Sequence, residues 1–302
     1  MKKLLKSFMA SILFISCVDG SKKGDISYIV CTTGMVEDIV KNIVIDKIPV
    51  ESLMKSGVDP HLYKPTQGDI KKIIKADIIF YNGLHLEGKM TGILENLSDK
   101  KKIVAVSEAL DKSDLINDTD FIGAEDPHIW NNVSNWIKAT DYLRDILIEL
   151  DEKNKDFYIE NASVYVKKLE DLHLYIKNSI ASIPQNRRVL ITSHDAFSYY
   201  GIAYGLETKG LQGISTASEF GLKDVVNMVD FIIERGIKAI FVEDSVSSKS
   251  LKAVVDGCKS KGYEVEIGAS LFSDAMGVEG TPESTYIGML THNTDQIVKA
   301  LK

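Results

Sequence analysis

The sequence predicts an α/β protein of two (β/α) domains, each with a mainly parallel four-stranded sheet, joined by one long backbone helix. Short apolar runs rich in β-branched residues recur along the chain, and a longer helical pattern follows each run. This alternation is typical of parallel sheets built from βα units. The chain has 302 residues and 44% hydrophobic content, which exceeds what one compact core usually organises.

Each half of the chain contains four predicted strands. In the first half the strands are residues 28–32, 50–54, 77–81 and 103–106. In the second half they are residues 188–192, 206–211, 239–242 and 264–267. This even division predicts an N-terminal α/β domain over residues 27–150 and a C-terminal α/β domain over residues 185–302.

A long segment, residues 151–182, separates the two sets of strands and contains no glycine or proline. Its apolar residues recur at three- and four-residue steps, which places them on one face of a helix: Tyr158, Ala162, Tyr165, Leu169, Leu172, Ile176 and Ile180. Pro184 follows where a helix should end. Such a helix would be about 48 Å long at ~1.5 Å per residue. We therefore expect residues 151–184 to form a stiff connection between the domains.

Residues 1–16 predict a secretory signal peptide. Lysines near the start precede an apolar run over residues 8–15, which is too short for an ordinary membrane span. The pair Ser16 and Cys17 resembles a bacterial lipobox, in which Cys17 becomes the lipidated first residue. The alternative is a plain cleavable signal with an incidental cysteine. Residues 17–26 would then form a polar, lipidated tether.

Composition and missing motifs argue against several classes of function. The net charge of −7 disfavours binding to nucleic acid or to anionic membrane surfaces. The sequence contains no HExxH, GxSxG, P-loop or GxGxxG motif. The two remaining cysteines, Cys31 and Cys258, lie in different predicted domains, so we expect buried free thiols rather than a disulfide.

The tripeptide Asp-Pro-His occurs twice in the predicted N-terminal domain, ending at His61 and at His128. Proline fixes its own backbone and favours extended conformations in the residue before it, so each histidine is presented from a defined turn. The repetition suggests a pair of imidazole metal ligands. The alternative is that both tripeptides are ordinary surface turns.

His194 and Asp274 follow predicted strands of the C-terminal domain, as His61 follows a strand of the N-terminal one. Ligands of open parallel sheets bind beyond the carboxyl ends of the strands, which favours a site between the domains. Neutral imidazoles and a carboxylate suit zinc, manganese or iron(II) rather than calcium. A site with four protein ligands holds an ion instead of activating water. We expect binding to weaken as the pH falls through ~6.5, where imidazoles protonate.

The other histidines have simpler interpretations. His85 follows a strand and could be a ligand, but a role in packing or hydrogen-bonding its loop is favoured. His173 lies beside the apolar face of the long helix and is expected to be solvated. His292 lies near the start of the last helix, where Thr291 or Asn293 would act as a cap. Acidic residues near the candidate ligands either orient a histidine or close a turn; these residues are Asp59, Asp126, Glu243 and Asp244.

Read together, the motifs resemble the solute-binding lipoproteins of zinc and manganese ABC importers, most closely the TroA-like members. The resemblance covers residues 28–301 and depends on DPHLYKPT, YNGLHLEG, DPHIW, SHDAF, GLQGISTASE, LFSDAMG and TPESTYIGMLTHN. It implies that His61 and His128 are the metal ligands of the N-terminal domain, and that His194 and Asp274 are those of the C-terminal domain.

The resemblance implies zinc or manganese as cargo, with iron as a third candidate. Many manganese-dedicated relatives have glutamate where this chain has His194, and zinc-dedicated relatives often carry a histidine-rich loop that residues 106–125 do not provide. The sequence therefore does not rank the two metals.

The function that the resemblance implies is that of an extracytoplasmic solute-binding protein, not an enzyme. It would be a monomer, anchored by lipid in the periplasm or at the outer face of the cytoplasmic membrane, which delivers its ion to an ABC permease and its ATPase. The alternatives are a surface adhesin lipoprotein and a secreted metal-dependent hydrolase.

Overall fold

A computed structural model of the chain describes residues 26–117, 123–218 and 220–302. The predicted signal peptide and the lipidation site Cys17 lie outside the described residues. Within these ranges, every helix is either too short or too polar to cross a membrane.

The first half of the chain forms a four-stranded parallel sheet, as predicted. The strands are β1 (Ile29–Cys31), β2 (Val50–Ser52), β3 (Ile78–Tyr81) and β4 (Lys102–Ala105). They are arranged in the order β2-β1-β3-β4. The two central strands, β1 and β3, are buried apolar runs of the kind that a sheet covered by helices requires. The carboxyl ends of the four parallel strands lie at one edge, from which the loops toward the site begin.

Three of the four helices of this half begin at a residue whose side chain caps the helix. The four helices are α1 (Gly34–Val44), α2 (Gln67–Lys75), α3 (Thr91–Ser98) and α4 (Val133–Leu150). The side chain of Thr66 accepts the Asp69 N–H and the Asp69 carboxylate accepts the Thr66 N–H, which forms a capping box for α2. Thr33 and Asn132 cap α1 and α4 in the simpler way, through one side-chain oxygen each.

The long helix α5 (Lys155–Ala181) contains 27 residues and buries all seven residues of the predicted apolar face. It begins four residues later than predicted, because residues 151–154 form the turn from α4. The Asp151 carboxylate stabilises that turn by accepting hydrogen bonds from Asn154 (2.6 Å) and from the Tyr158 hydroxyl (2.7 Å). At ~1.5 Å per residue the helix is about 40 Å long.

The second half also contains four parallel strands, but they form two pairs. The strands are β5 (Val189–His194), β6 (Glu207–Gln212), β7 (Ala239–Ile240) and β8 (Glu266–Ile267). A hydrogen bond from the Phe241 N–H to the Ile191 carbonyl (2.8 Å) places β7 beside β5. The helices are α6 (Ser198–Tyr204), α7 (Leu222–Arg235), α8 (Lys249–Ser260) and α9 (Tyr286–Leu301).

The largest apolar core runs along α5 and includes residues from β1 to α9. Trp136 of α4 stacks on Tyr286 of α9, with ring centroids 5.3 Å apart. Because this core is shared by both halves, the predicted domain boundaries near residues 150 and 185 stay a prediction. Cys31 and Cys258 are buried and free, as predicted. His292 lies within α9, which begins earlier than predicted because Thr285 is its cap.

Candidate metal site

Four buried side chains, two from each half of the chain, meet at one point: His61, His128, His194 and Asp274. One ligand atom from each lies within 4.8 Å of the others. His61 lies in the loop after β2, His128 lies just before α4, His194 ends β5, and Asp274 lies in the loop after β8. The structure thus brings together all four residues that the sequence analysis singled out as candidate ligands.

The Nε2 atoms of the three imidazoles converge on the Asp274 carboxylate. The His194 Nε2 lies 3.2 Å from Oδ2, the His128 Nε2 lies 3.4 Å from Oδ1, and the His61 Nε2 lies 3.8 Å from Oδ2. Both Asp274 oxygens and the His194 Nε2 are buried and make no well-formed hydrogen bond among the described residues. Buried polar atoms are otherwise nearly always satisfied, so this geometry fits a site whose donors are completed by a cation.

Carboxylates hold the far ring nitrogens of two of the histidines. The Asp126 Oδ1 lies 2.7 Å from the His128 Nδ1 and also accepts the His128 N–H. Glu243 contacts the His194 Nδ1 with Oε2, while its Oε1 accepts the His194 N–H at 2.9 Å. Such partners fix the tautomer and aim Nε2 at the metal position. Of the two interpretations that the sequence left open for Asp126 and Glu243, this geometry favours orientation of a histidine.

Asp59 and Asp244 are arranged differently. The Asp59 carboxylate accepts the His61 backbone N–H (2.9 Å) and so stabilises the turn rather than the ring. Its second oxygen accepts the Thr216 hydroxyl (2.7 Å) from the other half of the chain. Asp244 lies near Asp274, and its burial together with that negative charge raises its pKa to about 7.

The pKa values of the three histidines in the site are shifted in different directions. Burial lowers the pKa of His61 to about 3. Burial also opposes protonation of His128, but the carboxylates of Asp126 and Asp274 outweigh it and raise its pKa to about 9. A similar balance raises the pKa of His194 well above its ordinary value. Burial opposes ionisation of Asp274, yet the two cationic imidazoles hold its pKa well below the usual range.

The remaining histidines have other partners. His85 is exposed in a turn in which three consecutive residues have positive φ angles. The His173 ring faces the Tyr204 hydroxyl at 3.2 Å. His292 lies 3.2 Å from the Ser270 carbonyl and 3.4 Å from Glu283. The contacts of His292 indicate a structural role, although this residue lies within α9 rather than near its start. His85 is exposed, so its role in packing its loop stays a prediction, and His173, which was predicted to be solvated, is half-buried.

Two residues that the sequence analysis did not single out support the His128 turn. The Asn82 amide donates to the Pro127 carbonyl (2.9 Å), directly before His128. Glu87 in turn accepts the Asn82 N–H (2.7 Å) and the Thr32 hydroxyl (2.6 Å). Both belong to the YNGLHLEG motif, whose Asn-Gly pair is a turn signal, but the contact with residue 127 has no local signature.

Comparisons with known proteins identify the family. The model of the ZnuA family, described as the zinc-uptake complex component A, periplasmic, matches residues 29–300. The chain is 47% identical over 274 residues to the manganese-binding lipoprotein MntA of Bacillus subtilis, covering 91% of this chain and 89% of MntA. It is 42% identical over 275 residues to the zinc-binding protein TroA of Treponema pallidum, covering 90% and 88% of the two chains.

The fold agrees with these matches. The solved structure of the periplasmic zinc-binding protein TroA from Treponema pallidum aligns with a TM-score of 0.89 and 42% identity, over 92% of this chain and 99% of that chain. The predicted α/β architecture and the predicted resemblance to TroA-like proteins are therefore both confirmed. Since the family model spans almost all of the chain, this protein belongs to the ZnuA family, the solute-binding components of metal ABC importers.

Proposed function

We propose that this chain captures zinc or manganese outside the cytoplasm through His61, His128, His194 and Asp274, and delivers the ion to the permease of an ABC importer. The observation that carries the proposal is the meeting of these four buried side chains from two halves of the chain. Relatives at 47% and 42% identity are named for binding manganese and zinc, respectively.

The chemistry of the donor set supports a carrier of borderline transition metals. Three imidazole nitrogens and one carboxylate suit zinc, manganese and iron(II), and affinity alone favours zinc over manganese. The four side chains are buried, whereas a hydrolytic site keeps a coordination position for water. The named relatives are metal-binding transport components, so a non-enzymatic role fits better than the hydrolase considered above.

Metal uptake by cells tests the proposal directly. We expect a strain that lacks this protein to take up less zinc or manganese, and the intact gene to restore uptake. A gene with Ala at both His128 and His194 should not restore it, because too few ligands remain to hold the ion. Elemental analysis of protein taken from its native envelope would show which metal it carries. Normal uptake by the double variant at normal protein level would contradict the assigned site.

The proposed function includes a lipid anchor at Cys17, with residues 17–26 as the tether. The protein would act as a monomer beside its permease and ATPase. A single acyl chain gives only marginal membrane binding, so firm retention implies a multiply acylated cysteine. We expect Cys17→Ser to release the protein from the membrane fraction. Unchanged detergent partitioning of that variant would rule out the lipid anchor, and Cys31→Ser is the matched control.

A further inference from the structure

The two halves of the chain are joined firmly on the His128 side of the site. Four buried hydrogen bonds cross there, and all involve residues 126–131. They run from the Trp130 Nε1 to the Ser273 carbonyl (2.9 Å), from the Asn131 amide to the Ala196 carbonyl (2.8 Å), from the Tyr199 hydroxyl to the Asp126 carbonyl (2.9 Å) and from the Tyr286 hydroxyl to the Trp130 carbonyl (2.7 Å). His128 is thus fixed to the half that carries His194 and Asp274.

The His61 side is joined much more weakly. Among the described residues, one hydrogen bond links the loop over residues 53–66 to the second half, from the Thr216 hydroxyl to the Asp59 carboxylate (2.7 Å). Both of its residues are partly exposed. Because Asp59 also accepts the His61 N–H, whatever holds Asp59 holds the His61 turn.

Thr216 is itself anchored to the strand of another ligand. The Gln212 amide donates to the Thr216 carbonyl (2.6 Å) and to the Ser218 carbonyl, which fixes the segment 213–218. Gln212 ends β6 and pairs with His194 in the parallel ladder. The bond from Thr216 to Asp59 therefore connects the His61 turn to the strand that presents His194.

His61 has the largest exposed fraction of the four candidate ligands. His61 is 5% exposed, whereas His128 and His194 are both 0% exposed. An ion that leaves must pass where the fewest contacts have to break, which is beside His61. Opening there costs one partly exposed hydrogen bond, whereas opening on the opposite side costs four buried ones.

We propose that the Thr216–Asp59 hydrogen bond is a latch that holds the His61 turn over the ion and sets the rate at which the ion leaves. The proposal rests on the proposed function, with His61 as the ligand that moves away while His128, His194 and Asp274 stay together. Thr216 is then a positioning residue that acts through Asp59 and does not bind the ion.

Stopped-flow release of zinc into an excess of a chromogenic chelator tests the latch. We expect Thr216→Val to raise the dissociation rate constant about three- to tenfold, since it loses a hydrogen bond to a charged acceptor at a partly exposed position. The association rate constant should change less, because variants of one binding site differ mostly in their dissociation rates. Thr216→Ser keeps the hydroxyl and should release zinc at nearly the original rate.

The matched control is Ser215→Ala, which removes a hydroxyl from the same segment. The Ser215 hydroxyl accepts the Ala217 N–H within the segment and, among the described residues, makes no hydrogen bond to the His61 turn. In an Asp59→Ala background, Thr216→Val should add nothing to the release rate, because the two residues act as one pair. Melting of each metal-free variant checks that it has folded.

The possible outcomes separate the two proposals. An original protein that binds neither zinc nor manganese would overturn the proposed function. Normal zinc binding with unchanged release from Thr216→Val would overturn the latch alone. Additive effects of Thr216→Val and Asp59→Ala, or equal acceleration by Ser215→Ala, would also overturn the latch.

Discussion

Alanine at any one of His61, His128, His194 or Asp274 is expected to weaken zinc binding by roughly 100-fold or more. The nearest measured guide is the loss of 10- to 100-fold when a partner of a ligand is removed, and loss of the ligand itself should cost more. Each of the four lies in one buried cluster, so water cannot replace it with the same charge and geometry. Isothermal titration with a competing chelator measures the change.

Two sets of variants make this result interpretable. Alanine at His85, His173 or His292 should leave the affinity within about twofold. His85 is exposed, and the other two histidines contact other groups. Asp126→Asn should give an intermediate loss of about 10- to 100-fold, because it weakens the partner of the His128 Nδ1. Equal losses across all six histidines would indicate general destabilisation and would remove the support for the assigned site.

Zinc binding at pH 7 is expected to release about two protons per ion. In the metal-free site, neighbouring carboxylates raise the pKa of His128 to about 9 and that of His194 well above its usual value. Both imidazoles are therefore protonated at pH 7, while His61, with a pKa of about 3, is neutral. Zinc requires neutral imidazoles. Its affinity should then rise by about two log units per pH unit between pH 6 and pH 8.

Titration calorimetry in buffers of different ionisation enthalpy counts these protons. Release of about one proton or fewer at pH 7 would contradict the prediction and would mean that at least one of His128 and His194 binds as an already neutral group. The sequence alone predicted that protons compete with the metal once the pH falls to ~6.5, the ordinary histidine pKa. Competition by protons begins at higher pH because each of these imidazoles has two carboxylate neighbours.

The same pKa shifts predict that the stability of the metal-free protein falls as the pH rises, whereas that of the zinc-loaded protein does not. The folded pKa of His128, about 9, lies above its unfolded value near 6.5. Its contribution to stability is therefore present below pH 6.5 and is lost as the pH rises toward 9. The melting temperature of metal-free protein should fall over this interval. The zinc-loaded protein should not show this fall, because its imidazoles are neutral throughout.

The sequence by itself determined the features that depend on local patterns. Three- and four-residue spacing of apolar side chains predicted the buried face of α5, since helical periodicity is set within a few turns. Runs of β-branched residues predicted the strands. The rule that ligands bind beyond the carboxyl ends of parallel strands then singled out His61, His194 and Asp274. The repeated Asp-Pro-His tripeptide added His128.

Only the tertiary structure decided which residues support those ligands. Glu243 contacts His194 from 49 positions away, and Asn82 contacts Pro127 from 45 positions away. Thr216 reaches Asp59 across 157 positions. No periodicity or spacing encodes such pairs, because they depend on how separate loops meet after the strands and helices have packed. The histidine pKa values belong to the same class, since burial and neighbouring carboxylates exist only in the folded chain.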